Sequence, residues 1–233
     1  TMPSEKDILQ GNAAGKAKIL LMGASKSGKT VSAVSTSPGP VFVINAEPGG
    51  LASAAGLGAK FAYEEVWDWE SWQSVYKELK RDVEASKPKY RTVVLDSITR
   101  LGWLFQVECE KKFSGYETWK TFMARLIDGC IEAVLGLPVH VIGIAHVDPG
   151  MKGDGTLGIL PAISGQGATH IPAMFQDTVW LDVTVPQKEG DEVKRDFLCG
   201  PQGSWKHSGR SIRGSSRIEA NVTGFMKKYG IKP

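Results

Sequence analysis

The segment Gly23–Thr30, which reads GASKSGKT, constrains this chain more than any other stretch. Glycine, four further residues and then glycine, lysine and threonine follow one another at the spacing of a Walker A motif. The apolar run 17–22 precedes the segment and predicts a buried strand, whereas the small residues 31–34 suit the start of a helix. A strand, a glycine-rich turn and a helix N-terminus aim successive backbone N–H groups at one point, which is typical of a phosphate-binding loop.

Four positions of this loop have an expected role. Gly23 and Gly28 allow the turn and a close approach of the backbone, Lys29 can reach the β- and γ-phosphates, and Thr30 can place its hydroxyl on Mg²⁺. The alternative is a plain turn between a strand and a helix, with no ligand. We expect ATP and Mg²⁺ as ligands, held by a loop that consists of Gly23, Ala24, Ser25, Lys26, Ser27, Gly28, Lys29 and Thr30.

Two further apolar runs end in carboxylates. Thr92 to Leu95 lead into Asp96, which is the Walker B arrangement, although any strand that ends in Asp has the same pattern. We expect Asp96 to bind Mg²⁺ through its water shell, opposite Thr30. Val41–Asn45 forms another predicted strand, and Glu47 follows it. Glu47 is placed to hold the water that attacks the γ-phosphate. Its alternative is a solvated turn residue before Pro48.

His146 ends a fourth apolar run, 139–146. At the tip of a parallel strand it can sense the γ-phosphate, or it can simply begin a loop; the pattern leaves both interpretations open. The segment 147–172 is rich in glycine and proline and has little periodicity, so we expect a long irregular stretch. Before it, Glu117 to Leu135 has the period of one long amphipathic helix.

Composition limits the class of protein. The chain has 233 residues and a formal net charge of +3, which permits a nucleic-acid partner without arguing for one. Three widely spaced cysteines, without a CxxC pair, favour neither a disulfide framework nor a zinc site. The sequence lacks both an apolar run of membrane-spanning length and a signal peptide. We therefore expect a cytoplasmic protein with a flexible lead-in, 1–16, and one α/β domain, 17–233.

The order of these motifs resembles the RecA-like ATPase core, and within that class the phage-encoded RecA-core single-strand annealing ATPases. It does not look like AAA+ proteins, in which the catalytic carboxylate directly follows Walker B, because here Ser97 follows Asp96. The resemblance covers nearly the whole chain and is carried by GASKSGKT, VFVINAEPGG (41–50), TVVLDSIT (92–99) and HVIGIAHV (140–147).

The resemblance implies a mostly parallel central sheet flanked by helices, with late antiparallel strands. It implies that Glu47 orients water and that His146 takes the sensor position. Lys206 or Arg210 would act as a charged finger on the nucleotide of a neighbouring subunit, in a ring or filament.

The resemblance also implies that the regions 100–116 and 147–172 contact single-stranded DNA. The second region departs from the expected positive groove, because Lys152 is its only lysine or arginine. The first offers basic and aromatic side chains together, namely Lys111, Lys112, Phe113 and Tyr116.

The resulting hypothesis is a Mg²⁺-dependent ATPase that binds or anneals single-stranded DNA in phage recombination or replication, in the host cytoplasm. The alternative is a P-loop ATPase that acts on a protein partner, such as a phage assembly or packaging accessory or a KaiC-like switch. A small-molecule kinase is disfavoured because such enzymes need arginine-rich acceptor pockets, and the arginines here are scattered.

Overall fold

A mixed sheet forms the centre of the molecule. The computed structural model describes residues 15–151, 157–184, 192–201, 209, 211–212 and 214–233. Within them, eight strands form one sheet in the order β10-β9-β8-β1-β5-β4-β2-β3, and β6 pairs with β7 separately. The strands are β1 Lys18–Met22, β2 Val41–Asn45, β3 Phe61–Glu65, β4 Thr92–Asp96, β5 His140–Ala145, β6 Val147–Met151, β7 Leu157–Pro161, β8 Asp177–Thr184, β9 Lys194–Cys199 and β10 Ser216–Glu219.

Strands β3, β2, β4, β5, β1 and β8 pair in parallel, whereas β9 and β10 join them antiparallel. This arrangement confirms the predicted fold class, a P-loop NTPase core of mostly parallel strands with late antiparallel ones. Parallel strands present their carboxyl ends at one edge of a sheet. Asn45 is in register with Asp96 and Met22 with Ala145, so the loops after β1, β2, β4 and β5 open at the same edge.

Helices cover both faces of the sheet. They are α1 Lys29–Thr36, α2 Ala52–Gly56, α3 Trp69–Glu84, α4 Ile98–Lys112, α5 Tyr116–Met123, a π-helix Ala124–Glu132, α6 Ala133–Leu135, α7 Gly167–Met174 and α8 Val222–Lys228. The core on one face centres on Trp72, Phe105 and Phe122, and the core on the other on Phe197 and Phe225. At the start of α3, Asp68 forms a capping box with Ser71.

The long helix expected from Glu117 to Leu135 has a nine-residue π-helical centre. The ring of Trp69 packs on Gly129, leaving no room for a Cβ atom there. Trp72 Nε1 donates to the carbonyl of Gly129 (3.0 Å), and the hydroxyl of Tyr76 donates to that of Ala133 (3.2 Å). Donors on α3 therefore satisfy one carbonyl within the π-helix and one directly after it, interactions that periodicity along one helix does not reveal.

The expectation of an irregular stretch at 147–172 is wrong for most of its described residues. Strands β6 and β7 form a hairpin, and α7 begins at Gly167. Five-residue strands containing Pro149 and Gly150 are too short and too interrupted to show an alternating pattern. No sequence pattern indicated α2 or β10.

The three cysteines, Cys109, Cys130 and Cys199, are buried free thiols. Burial raises the pKa of Cys109, raises that of Cys130 well above its ordinary value, and raises that of Cys199 to about 11. In the described part of the chain, no helix combines the length and the apolar character needed to cross a membrane.

Candidate nucleotide-binding site

The loop Gly23–Thr30 leaves β1 and enters α1 as the motif predicts. Gly28 precedes α1 with φ of 101°, a left-handed conformation that favours glycine. Ser27 is buried within the loop. A cavity of about 580 Å³ opens beside the loop, a volume within the usual range for small-molecule sites. Its lining includes Ser25, Lys26, Gly28, Lys29 and Thr30 from the loop and, across from them, Glu47, Asp96 and His146.

Thr30 and Asp96 meet at the floor of this cavity. The hydroxyl of Thr30 donates to Asp96 Oδ2 at 2.8 Å, although 66 residues separate them in sequence. Asp96 is almost fully buried, and this burial raises the pKa of its carboxyl to about 6. A hydroxyl and a carboxylate, both hard oxygen donors, are the ligands that Mg²⁺ takes beside phosphate. The two side chains therefore fit the predicted metal position.

Lys29 points back along its own loop. Its Nζ donates to the carbonyls of Gly23 (2.9 Å) and Ala24 (2.7 Å). Burial lowers the pKa of Lys29 to about 8, while the nearby carboxylates of Asp96 and Glu47 oppose that decrease. Because phosphate oxygens would supply acceptors and negative charge, a bound triphosphate would favour the charged ammonium.

Glu47 lies in the cavity rather than in a solvated turn. The backbone N–H of Ala46 donates to the carbonyl of Asp96 at 2.6 Å, so the chain after β2 stays beside β4 and delivers the next side chain over Asp96. Ser97 donates to Glu47 Oε1 at 2.6 Å, and the same oxygen lies 3.2 Å from His146 Nε2. The hydrogen bonds from His146 and Ser97 lower the pKa of Glu47, although burial opposes them.

His146 bridges Lys29 and Glu47. Its Nδ1 lies 3.4 Å from Lys29 Nζ, and its backbone N–H donates to Thr99 Oγ1 at 2.9 Å. A lysine ammonium can only donate, so Nδ1 accepts, and Nε2 carries the hydrogen that it donates to Glu47. The imidazole thus joins the P-loop cation to the carboxylate. Sequence position alone indicated only that His146 ends a strand.

Some predicted residues lie outside the described part of the chain, and one residue that no motif predicted contacts the P-loop. Lys206 and Arg210, the predicted fingers, lie outside the described residues, as does Lys152. Arg195 on β9 was not singled out by any motif, yet its Nε donates to the carbonyl of Ser27 at 3.0 Å. Nothing local could have indicated this contact, because the register of the late strands sets it.

A second cavity, of about 260 Å³, lies on the far side of Glu47. We call it the Trp103 groove, and its lining includes Glu47, Thr99, Arg100, Trp103, Gln106 and Ser164. Trp103 is 51% exposed, and the Arg100 guanidinium lies 4.0 Å from the centre of its ring. Glu47 therefore lines the groove as well as the P-loop cavity.

Comparison with known proteins gives one family. Residues 15–203, most of the chain, match the family AAA_24, described as an AAA domain, while no curated protein matches. The match supports the P-loop ATPase class but does not single out the phage RecA-like proteins. The family also bears the AAA name, whereas Ser97 after Asp96 led us to expect a protein unlike AAA+ proteins. In the structure, Ser97 donates a hydrogen bond to Glu47, the carboxylate that follows the adjacent strand β2. The chain thus belongs to the AAA_24 family of AAA-type, ATP-binding P-loop domains.

Proposed function

We propose that this protein is a Mg²⁺-dependent ATP hydrolase whose reaction centre is the cavity between the P-loop and Glu47. The observation that carries the proposal is the contact between Thr30 and Asp96 at 2.8 Å, directly beside Glu47. It brings a metal-binding pair and a carboxylate suited to orienting water to one side of a phosphate-binding loop.

The side chains divide the work as follows. Lys29 exchanges the carbonyls of Gly23 and Ala24 for oxygens of the β- and γ-phosphates. Thr30 and Asp96 would hold Mg²⁺, which would supply positive charge beside the phosphates. Glu47, kept ionised by its hydrogen bonds, accepts a hydrogen bond from the attacking water and orients it. A change in charge near Lys29 alters the hydrogen bond at His146 Nδ1. His146 transmits this change to Glu47 through the hydrogen bond at Nε2.

The test of this proposal is phosphate release from ATP, with Mg²⁺ and with EDTA. We expect metal-dependent turnover that falls at least 100-fold in Asp96→Asn, since the amide lacks the charge that holds the metal. Asp82→Asn is the matched control, because Asp82 lies on α3 in exposed ion pairs with Arg81 and Lys89. Turnover that persists in EDTA, or in Asp96→Asn, would contradict the proposal.

For the partner, we infer single-stranded DNA, and the Trp103 groove supports this choice. An exposed indole offers a flat apolar face on which any base can stack, and a guanidinium beside it can pair with a phosphate. Within the described residues, Arg100 Nε is a buried donor without a hydrogen-bond acceptor. The carboxylate that lines the groove, Glu47, already accepts from Ser97 and His146. The groove therefore offers an indole face to a base and a guanidinium to a phosphate, beside the carboxylate of Glu47.

Exposed aromatic residues continue beyond this groove. Gln106 also lines a neighbouring cavity with Phe113 and Trp119, and Tyr116 stands next to it, 81% exposed. Gln106, Phe113 and Tyr116 belong to the region 100–116, and Trp119 follows it. Residues 162–164 bring part of the region 147–172 to the Trp103 groove. Lys112 forms an ion pair with Glu108 at 2.7 Å, and this pair offsets part of the positive charge that the lysines bring to the region 100–116. Stacking, more than charge, would supply the affinity.

The second candidate is a protein partner, favoured by the modest net charge of +3. Fluorescence anisotropy with a labelled oligothymidylate, at two salt concentrations, separates the two. We expect salt-sensitive binding that weakens about 5- to 100-fold in Trp103→Ala. Trp67→Ala is the matched control, since Trp67 is 57% exposed but precedes α3, outside the lining of the groove. Absence of oligonucleotide binding, with and without ATP, would reject DNA and favour the protein partner.

The remaining parts of the hypothesis rest on the resemblance. We propose a homo-oligomer, a ring or filament, in which Lys206 or Arg210 reaches the nucleotide of a neighbour. A role in phage recombination or replication, in the host cytoplasm, completes the proposal. Because Glu47 lines both cavities, DNA in the Trp103 groove would alter ATP turnover, which a rate measured with and without single-stranded DNA tests directly.

A further inference from the structure

We infer that Arg195 is a positioning residue for the P-loop, which fixes the peptide between Ser27 and Gly28 from the side opposite the nucleotide. The inference rests on the proposed nucleotide binding and assigns a role to a strand that carries none of the ATPase motifs. Arg195 lies on β9, 165 residues or more beyond the P-loop, and its Nε donates to the carbonyl of Ser27 at 3.0 Å.

The two sides of this peptide face different surroundings. In a trans peptide the carbonyl and the following N–H point in opposite directions. Arg195 takes the carbonyl of Ser27 and is absent from the lining of the P-loop cavity, whereas Gly28 and Lys29 belong to that lining. With the carbonyl held outside, the N–H of Gly28 is directed inward, where the phosphates would lie.

Arg195 is itself held in place. Its carbonyl accepts from the N–H of Ala220 at 3.0 Å, and its backbone is in register with Val183 of β8. The neighbouring carboxylates, Asp182 and Asp196, are both engaged by Arg217, at 2.8 and 3.0 Å. By the alternation of side chains along a strand, these carboxylates lie on the other face of the sheet, so they do not compete for the Arg195 guanidinium.

The contact also brings the arginine close to Gly28, the second glycine of the motif. A Cβ atom at position 28 would come within 2.9 Å of Arg195 Nε. Gly28 thus allows the left-handed turn of the loop and, in this chain, the close approach of Arg195. A charged donor on a carbonyl also polarises the peptide, which strengthens the N–H on its other end.

The experiment compares Arg195→Ala, Arg195→Lys and Lys194→Ala. Lys194 is the matched control, because it is an exposed cation on the same strand, one position away, and so on the other face of the sheet. The readouts are the Kd of a fluorescent ADP with Mg²⁺, the KM and kcat for ATP, and the melting temperature.

In Arg195→Ala we expect the Kd for ADP and the KM for ATP to rise together by about 5- to 20-fold, because the variant loses one charge-assisted hydrogen bond to the loop. The kcat should change less than threefold, and Arg195→Lys should recover part of the affinity. Wild-type affinity in Arg195→Ala, or an equal loss in Lys194→Ala, would overturn the inference. A wild-type chain that neither binds nor hydrolyses ATP would instead overturn the proposed function, and this inference with it.

Discussion

Ser97 donates its hydroxyl hydrogen to Glu47 Oε1 across 2.6 Å, which joins the residue after Walker B to the carboxylate at the end of β2. In AAA+ proteins the position after Walker B carries the catalytic carboxylate; here a serine occupies it and holds a carboxylate from the adjacent strand. The same oxygen of Ser97 accepts from the N–H of Arg100 at 3.1 Å and so caps α4. One side chain thus serves both the helix and the candidate active site.

Ser97→Ala should lower kcat for ATP by about 10-fold while the affinity for ADP stays within threefold, because Glu47 loses a partner that holds it over the cavity. Loss of the cap should also cost about 1 kcal/mol of unfolding free energy. Asn221→Ala is the matched control, since Asn221 caps α8 through Gly224, on the far side of the sheet. An equal fall of kcat in both variants would assign the effect to stability.

Glu47→Gln should keep nucleotide binding and reduce hydrolysis by about 100-fold or more, because the amide cannot accept a proton from water. The measurements are the Kd of a fluorescent ATP analogue and single-turnover phosphate release. Glu65→Gln, an exposed glutamate that ends β3, is the control. Full hydrolysis by Glu47→Gln would move the water-orienting group elsewhere in the cavity.

Mixing two inactive variants tests the shared active site. Lys29→Ala should bind nucleotide weakly and show no turnover, and Arg210→Ala should bind nucleotide without efficient turnover. If the finger acts across subunits, mixed oligomers regain part of the activity, because some interfaces carry both an intact P-loop and an intact arginine. The rate is followed across mixing ratios, and a flat profile at zero would exclude a finger at Arg210.

The stability of the fold should depend on pH through His140, at the edge of the sheet opposite the nucleotide. Its Nδ1 accepts from the N–H of Ala17 at 3.0 Å, and burial, together with the charges of Lys16, Arg91 and Lys18, lowers its pKa to about 4. Between pH 6.5 and 4, His140 binds a proton in the unfolded chain but not in the folded chain. Stability is therefore full above pH 6.5 and falls as the pH decreases toward 4, by about 3 kcal/mol.

Urea unfolding at pH 7.5 and at pH 4.5 measures this dependence. His140→Gln keeps an acceptor for Ala17 and does not titrate, so its loss of stability over the same range should be smaller by most of that amount. The difference between the two proteins removes the contribution of the carboxylates they share. Identical pH profiles for wild type and His140→Gln would contradict the prediction.

The parts of the site that sequence reasoning recovered are those encoded locally. A Walker A spacing with correct flanks, and an apolar run that ends in Asp96, each identify a strand and the loop that follows it. The bridge from Lys29 through His146 to Glu47 depends instead on β4 and β5 lying between β2 and β1, which no local pattern states. Arg195 was missed for the same reason, since its contact crosses the sheet from a late strand.

The helices show the same division. The capping box at Asp68 is encoded within four residues of the chain, whereas the π-helical centre near Gly129 depends on rings from α3. The structure also shows which tryptophans are buried in the core and which are exposed, a distinction that composition alone does not make. Trp72 on α3 is fully buried, whereas Trp103, on the helix after Walker B, faces outward beside an arginine.

The three buried cysteines have a practical consequence. Thiolates react with maleimides and thiols hardly do, so Cys109, Cys130 and Cys199 should stay unlabelled in the native protein. A cysteine introduced on the surface, for example in place of Lys194, would then be the reactive position among the residues that the structure describes. Site-specific dyes could follow movements of the late strands during turnover without first removing the native sulfhydryls.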